Sequence, residues 1–115
     1  MNHIQSPDTS DSAIEREIVA KGLTAPRVTP ALIEEVQKTC TYHVFPETML
    51  TVCCLTLRNG FTVTGESACA SPANFNAEIG RKIALSSAVN KIWALEGYLL
   101  KERLYQAQQP AQAPV

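Results

Sequence analysis

The residues of this chain best suited to chemistry lie at the tip of a predicted hairpin and at the start of a long predicted helix. Arg81 lies about one turn inside that helix, whose free amide groups and positive dipole end attract anions. Phe61 and Phe75 offer rings on which a base could stack, and Asn74 and Asn76 could hydrogen-bond to a base or a ribose. The same residues have a purely structural explanation, in which Phe75 is a hydrophobic staple and Asn76 caps the helix. The pattern alone leaves both explanations open.

Catalytic chemistry has little support in the sequence. His43 is the one conventional base inside the predicted fold, and it has no acid or nucleophile at a recognisable spacing. Ser86 and Ser87 lack the glycine context of a nucleophile elbow, and neither Gly60 nor Gly65 belongs to a nucleotide-binding fingerprint. We therefore predict no catalytic residues, no cofactor and no enzymatic activity.

The four cysteines are interpreted as small apolar packing residues rather than as metal ligands or disulfide partners. Cys53 and Cys54 are neighbours on a predicted strand, so their side chains point to opposite faces and cannot easily share one ion. Together with Cys40 and Cys69 they form no C-x-x-C pair and no zinc pattern with either histidine. We therefore predict no metal site.

Length and composition favour a small soluble protein. The chain has 115 residues, a net charge of −1 and 18% charged residues, so it lacks the basic surface expected of a protein that binds nucleic acid polymers. No apolar run reaches the roughly 18 residues that span a bilayer. Residues 1–12 contain no apolar segment typical of a signal peptide. We therefore expect a cytoplasmic protein with no membrane partner.

The local patterns predict a single α+β domain. Residues 1–10 are interpreted as a disordered arm, residues 11–105 as the domain, and residues 106–115 as a disordered tail rich in Gln, Pro and Ala. The domain is predicted to contain short N-terminal helices, a three-stranded antiparallel sheet with an Asn-Gly hairpin, and a long C-terminal helix.

Two short helices are predicted before the sheet. Ser12 and Glu15 form a capping-box pattern for the first, and Gly22 is a suitable residue to end it. Pro30 sits at the predicted first position of the second, where its missing N–H costs nothing. That helix is predicted to end near Cys40.

Three short segments predict the antiparallel sheet. They cover Thr41–Phe45, Leu50–Leu57 and Phe61–Thr64. Pro46 closes the first segment and marks it as an edge strand. Asn59-Gly60 between the other two predicts a hairpin with a two-residue type I′ turn.

The predicted turn also sets which strand residues share a face. A two-residue turn places Thr56 opposite Val63, and directly opposed residues share a face. Val63 would then lie on the face opposite to Leu55 and Leu57, and both faces would be partly apolar. We expect the long helix to cover one face, and the N-terminal helices or a partner to cover the other. Gly65 indicates a bulge or a close backbone approach.

The long helix is predicted to begin after Asn76 and to run to about Tyr105. A helix of about 30 residues is about 45 Å long, which exceeds what a three-stranded sheet can cover. Either Gly97 breaks the helix, or its far half packs on another subunit. Small residues repeat every four positions on one side and permit close approach of a helix or of the sheet: Gly80, Ala84 and Ala88.

Four segments of the chain resemble a group of small bacteriophage and prophage proteins. They are Thr51–Ser67, Asn74–Asn76, Gly80–Ala84 and Trp93–Leu100. Through these segments the chain is similar to the first-described Thoeris anti-defence proteins, which act as sponges for immune signals.

This resemblance implies a protein that binds cyclic ADP-ribose isomers made by bacterial TIR-domain sensors and does not alter them. For some members it also implies binding of cyclic oligonucleotides made by cGAS-like enzymes. It further implies a homo-oligomer, either a dimer or a hexamer, with ligands at subunit interfaces. The alternative is a phage accessory module that binds a host protein, which predicts an exposed apolar helix face and no small-molecule pocket.

The resemblance also assigns ligand-binding roles to individual residues. Phe61 would stack on a base and Asn74 would hydrogen-bond to the ligand. Asn76 stands where the group is expected to have an aspartate, so it can cap the helix but cannot make a contact that needs the charge. Cations on the long helix would meet the phosphates: Arg81, Lys91, Lys101 and Arg103. Among these, a lysine cannot make the bidentate contact of an arginine.

Overall fold

The structure, a computed structural model, describes residues 8–110 and confirms the predicted α+β class. Its elements are α1 (Asp11–Ala20), α2 (Pro30–Glu35), β1 (Gln37–Val44), β2 (Leu50–Leu57), β3 (Thr62–Ala68), a short 3-10 helix (Pro72–Asn74) and α3 (Ala77–Gln108). Most of the predicted arm, residues 1–7, and half of the predicted tail, residues 111–115, lie outside the described part of the chain.

The three strands form one antiparallel sheet in the order β1-β2-β3, so β1 is an edge strand as predicted. Its predicted start at Thr41 is wrong, because β1 already begins at Gln37. The predicted end of the second helix near Cys40 is wrong for the same reason, since α2 stops at Glu35. Residues 39–41 are paired with β2, and two of these residues are β-branched threonines, which favour strands over helices.

The hairpin between β2 and β3 is confirmed, but its turn has three residues rather than the predicted two. The Leu57 amide donates to the Phe61 carbonyl at 2.8 Å, and the Gly60 amide donates to the Leu57 carbonyl at 2.9 Å. Gly60 has a φ of +89°, and Asn59 is not among the residues with positive φ. This geometry is a type I turn followed by a left-handed glycine, the usual three-residue hairpin loop. The Asn59 Oδ1 also accepts a hydrogen bond from the Phe61 amide at 3.0 Å.

The extra turn residue moves the side chains of β3 to the other face of the sheet. Val63 lies opposite Leu55, and Thr62 lies opposite Thr56, so the predicted placement of Val63 is wrong. Because side chains alternate along a strand, a shift of one residue exchanges the two faces. The inner face therefore gathers the apolar side chains, and the outer face of β3 is exposed and bears Thr62 and Thr64.

The inner face packs against α3 at very close range. A Cβ atom at Gly65 would overlap the Ala84 carbonyl oxygen and the Ala88 amide nitrogen, which confirms the predicted close backbone approach. Gly80, Ala84 and Ala88 all face the sheet and are buried. The buried apolar core comprises Ile33, Val36, Cys53, Leu55, Leu57, Val63, Ala84, Ala88 and Ile92.

The N-cap of the first helix and the contact made by Glu15 differ from the prediction. Its N-cap is Ser10 rather than Ser12, and the Ser10 hydroxyl accepts from the Ala13 amide at 3.2 Å. Because the N-cap is Ser10, Glu15 lies two positions beyond N3 and does not complete a capping box. Its carboxylate instead accepts hydrogen bonds from both terminal nitrogens of Arg27. A forked guanidinium contact of this kind is stronger than a contact to a single backbone amide. The Arg27 hydrogen bonds lower the pKa of Glu15.

The long helix is continuous. The Asn76 Oδ1 accepts from the Ile79 amide at 2.9 Å, which confirms the predicted N-cap. α3 passes Gly97 without a break and ends at Gln108, three residues beyond Tyr105. Its 32 residues span about 48 Å, so its last turns extend past the sheet. No helix within residues 8–110 is long and apolar enough to cross a membrane.

Candidate functional site

Three of the predicted ligand-binding residues lie together at the N-terminal end of α3. Asn74, Phe75 and Asn76 border a cavity of about 220 Å³, which also includes Ile79 and Ile83 of the helix. Asn76 uses its side-chain oxygen to cap α3, and Phe75 is half-buried. The capping role of Asn76 is therefore confirmed, whereas N4, the position that pairs with Phe75 in a hydrophobic staple, is Gly80 and has no side chain. Asn74 is exposed at the edge of the cavity.

Phe61 borders a second cavity, of about 250 Å³, between the turn of the hairpin and the far half of α3. We call it the hairpin-tip groove. Its lining residues are Leu57, Asn59, Phe61, Leu95, Glu96, Tyr98 and Leu99. The ring-bearing residues Phe61 and Tyr98 are 55% and 72% exposed, so both present aromatic surface at the mouth of the groove.

The two cavities lie at opposite ends of the α3–sheet unit. Asn76 borders the first cavity and Leu95 borders the second. Leu95 is 19 positions beyond Asn76, the N-cap of this continuous helix, which corresponds to about 29 Å along the helix axis. One small ligand therefore cannot contact Phe61 and Asn74 of the same chain. The structure brings Asn74, Phe75 and Asn76 together but does not bring them to Phe61.

The predicted phosphate-binding cations are spread along the exposed sides of α3. Arg81, Lys91, Lys101 and Arg103 are all exposed, and none forms an ion pair with another described residue. At 3.6 residues per turn, Lys91 and Lys101 project within about 80° of each other, on the side of α3 that bears Tyr98. Arg103 projects to a different side, so these cations do not form one cluster within a chain.

Glu96 is a buried charged residue of the groove that the sequence patterns did not single out. It is only 7% exposed and lines the hairpin-tip groove. Within residues 8–110 it makes no ion pair and no side-chain hydrogen bond. The sequence signal for its burial was the four-residue spacing of Gly80, Ala84, Ala88 and Ile92, because Glu96 is the next position in that series. A charged residue at the end of a buried stripe is unusual and often has a partner.

The other candidates for chemistry are placed where they have structural roles. His43 is exposed on the edge strand, and its ring meets the Phe45 ring edge-on at 4.6 Å. The sulfur atoms of Cys40 and Cys53 lie 2.9 Å apart. Burial, helped by the contact with Cys40, raises the pKa of the Cys53 thiol to about 12. Among the described residues no three His, Cys, Asp or Glu side chains are grouped to hold a metal ion.

The fold is a small α+β unit in which a three-stranded sheet supports one very long helix. The model of the phage protein (N4 Gp49/phage Sf6 gene 66) family matches residues 28–104. This range begins before α2 and includes the whole sheet and most of α3, so the chain belongs to that family and is a phage protein. No curated protein and no solved structure matches the chain.

Proposed function

We propose that this phage protein sequesters cyclic nucleotide immune signals, namely cyclic ADP-ribose isomers and cyclic oligonucleotides, without degrading them. The resemblance to Thoeris anti-defence proteins supports this function. The observation that carries it is the pair of uncovered rings, Phe61 and Tyr98, at the mouth of an apolar groove. An aromatic ring that stacks on a base contributes about 1–3 kcal/mol to binding, so this groove is a suitable receptor for a nucleobase.

The proposal includes assembly of at least two chains. Phe61 and Asn74 are too far apart to meet one ligand in one subunit, but a second chain in the opposite orientation brings the two ends of α3 together. Leu99 is exposed beside the hairpin-tip groove, and Tyr105 is exposed on the last turns of α3, which extend beyond the sheet. A homodimer or hexamer would cover this surface and would place ligands between subunits.

The absence of catalysis is also part of the proposal. A sponge needs affinity without a base or nucleophile at the bound ligand. His43 lies on β1 opposite Val52, on the outer face of the sheet, whereas the groove opens beside the inner face. Cys53 is fully buried, and its raised pKa keeps the thiol protonated near neutral pH.

The decisive experiment measures uptake and recovery of the ligand. Purified protein is incubated with cyclic ADP-ribose isomers and cyclic oligonucleotides, separated from free ligand, and denatured by heat. We expect at least one ligand to be returned intact in amounts that saturate with protein. A chemically changed ligand would identify an enzyme, and no uptake of any of these molecules would refute sequestration.

A matched pair of variants tests the role of the groove. Phe61→Ala should weaken uptake about 10-fold or more through loss of stacking, without unfolding the protein, because the ring is largely exposed. Phe45→Ala removes another exposed ring, far from the hairpin turn, and should leave uptake unchanged. If the Phe61→Ala variant took up as much ligand as the parent and the Phe45→Ala variant, Phe61 would be excluded from the ligand site. Native mass spectrometry on the same samples should give a dimer or larger assembly.

A second candidate function is binding of a host protein by an accessory module. The exposed residues Tyr98 and Tyr105 favour it, since exposed aromatic patches are typical of protein interfaces. If the protein is such an accessory module, the purified protein should take up no cyclic nucleotide. It also predicts that Tyr105→Ala abolishes its effect in infected cells without changing its native mass.

A further inference from the structure

Two free thiols meet on the inner face of the sheet, where β1 pairs with β2. Cys40 lies opposite Leu55, and Tyr42 lies opposite Cys53, so the two cysteines are diagonal neighbours on one face of the strand pair. Their sulfur atoms are 2.9 Å apart, and both thiols are free. The S–S bond of a disulfide is about 2.05 Å long, so the two sulfur atoms are within about 0.9 Å of bonding distance.

A shared metal ion does not fit between these two sulfur atoms. Two thiolates on one tetrahedral zinc ion, with Zn–S bonds of about 2.3 Å, would be about 3.8 Å apart. Among residues 8–110 no group of three His, Cys, Asp or Glu side chains could hold a metal ion. The spacing of Cys40 and Cys53 therefore favours a covalent bond between the sulfur atoms over a metal site.

The two thiols differ in their access to solvent. Cys40 is partly exposed on the edge strand, whereas Cys53 is fully buried. Burial also raises the pKa of Cys53 to about 12, so this thiol stays protonated near neutral pH and does not react with reagents in solvent. An oxidant that approaches the folded protein therefore meets Cys40 first.

Two polar side chains accompany Cys40 on this face. A hydrogen bond with Cys40 is the main cause that raises the pKa of Tyr42 to about 12, so the Tyr42 hydroxyl keeps its proton and serves as a donor at the Cys40 sulfur. The positive charge of Arg81 on α3 lies close enough to oppose this rise in the pKa of Tyr42. Partial exposure, a hydrogen-bond donor and a nearby cation are typical surroundings of a reactive cysteine.

We propose that Cys40 and Cys53 form an oxidative modification site, at which hydrogen peroxide closes a reversible disulfide between β1 and β2. The Cys40 sulfur attacks one peroxide oxygen, the O–O bond breaks, and the departing hydroxide takes the Cys40 proton and leaves as water. Cys40 is then a sulfenic acid. The Cys53 sulfur attacks the Cys40 sulfur, the S–O bond breaks, and the hydroxyl leaves with the Cys53 proton as a second water molecule. The two thiols lose two electrons and two protons in total, and the peroxide is reduced to water.

The disulfide links the edge strand to the central strand of the sheet. Its two cysteines are 13 positions apart, and the chain between them contains the connection from β1 to β2. Closing a loop of this length restricts the unfolded chain and so stabilises the fold. We expect the melting temperature to rise by about 10 °C on oxidation. A thiol reductant reverses the change by thiol–disulfide exchange.

The experiment treats the reduced full chain with a small excess of hydrogen peroxide and locates disulfides by mass spectrometry. Cleavage after Glu47 separates Cys40 from the cysteines of β2, so the disulfide is detected as two linked peptides that have lost two hydrogens. We expect this linkage and the higher melting temperature in the folded parent, and dithiothreitol should reverse both. No nucleotide is present, so the result does not depend on the proposed sequestration.

The adjacent cysteine provides a matched control. Cys54 lies opposite Thr41, and its side chain points to the other face of the sheet from Cys53. Cys54→Ser should therefore form the same disulfide as the parent, whereas Cys53→Ser should form none. The Cys53→Ser variant should instead accumulate a sulfenic acid at Cys40, which dimedone labels.

A second variant keeps the proposal testable if Cys53→Ser does not fold. Cys40→Ser changes a partly exposed position, so the fold should be retained. Peroxide should then produce neither the linked peptides nor a rise in melting temperature.

Four results would overturn the proposal. The first is a folded parent in which Cys40 and Cys53 remain unlinked after peroxide treatment. The second is a linkage that Cys54→Ser abolishes, because Cys40 would then pair with Cys54. The third is linkage only between two chains, which electrophoresis without reductant detects. The fourth is a Cys40–Cys53 disulfide that does not raise the melting temperature.

Discussion

Gly65→Ala is the substitution whose effect follows most directly from the packing of α3 on the sheet. A Cβ at this position would overlap the Ala84 carbonyl oxygen and the Ala88 amide nitrogen. Both atoms belong to the backbone of a continuous helix, so no side-chain rotation can relieve the overlap. The helix must move away from β3, and the core between them must open.

The expected loss of stability is large for this protein. Overpacking of a core costs about 1–3 kcal/mol, and the rigidity of both neighbours places Gly65→Ala at the upper end. The small gain from restricting the unfolded chain, about 0.4–1 kcal/mol, offsets part of it. A net loss of about 2–3 kcal/mol is a considerable share of the 5–15 kcal/mol that stabilises a typical domain. The corresponding fall in melting temperature is about 10–20 °C.

Two other glycines of the chain provide matched controls. A Cβ at Gly80 would lie 3.0 Å from the Thr51 Oγ1, an atom that can rotate away, and alanine favours a helix by about 1 kcal/mol over glycine. Gly80→Ala should therefore be close to neutral. A Cβ at Gly97 meets nothing within 4 Å, so Gly97→Ala should raise the stability of the chain by up to about 1 kcal/mol.

The assay is thermal and urea unfolding followed by circular dichroism for the parent and the three variants. Gly65→Ala should be the least stable of the four proteins, Gly80→Ala should be close to the parent, and Gly97→Ala should be the most stable. A Gly65→Ala protein that melts within about 4 °C of the parent would refute the close approach of α3 to β3. A large loss at Gly97 would place another surface against that side of the helix.

Two further predictions concern titrating groups. The Arg27 contact lowers the pKa of Glu15, so it stabilises the position of α1 above the ordinary glutamate pKa of 4.5 and is lost as the pH falls through the lowered value. Trp93 lines the same cavity as Glu15, so the fluorescence of Trp93 should change when the pH falls below the lowered pKa of Glu15. The Glu15→Gln variant should already show this change at pH 7. Identical acid titrations of the parent and the variant would contradict a role of the Glu15–Arg27 contact in holding α1. Burial raises the pKa of Cys53 to about 12, so a thiol-specific reagent at pH 8 should modify the half-buried Cys54 and spare Cys53 until urea unfolds the chain. Tandem mass spectrometry of the labelled peptide checks this order, and equal labelling of the two thiols in the folded protein would disprove it.

The structural feature that matters most for the proposed function is that the two cavities lie at opposite ends of α3. Asn74 and Phe61 lie at opposite ends of the helix–sheet unit, so a ligand that needs both must bind between chains. A single chain nevertheless presents two exposed rings, Phe61 and Tyr98, at the hairpin-tip groove. Variants of the groove therefore test ligand contact, and variants of the exposed α3 surface test assembly.

Local chemistry was sufficient to predict the elements of this fold. Asn76 caps α3, Pro30 opens α2, and Gly22 follows α1 with a φ of +68°. Each of these signals depends on a few neighbouring residues, so it is readable without knowledge of the tertiary structure. The least accurate predicted boundary was the one between α2 and β1. The local sequence there is compatible with either helix or strand, and pairing with β2 decides in favour of the strand.

The sequence by itself therefore determined the α+β class, the hairpin at Asn59-Gly60 and the small-residue stripe of α3. Only the tertiary structure decided the turn type, because Gly60 suits both a two-residue and a three-residue loop and the choice depends on burying Val63 beside Leu55. Tertiary structure likewise decided that Glu96 is buried beside Phe61. These outcomes depend on contacts between segments distant in sequence, which no local pattern encodes.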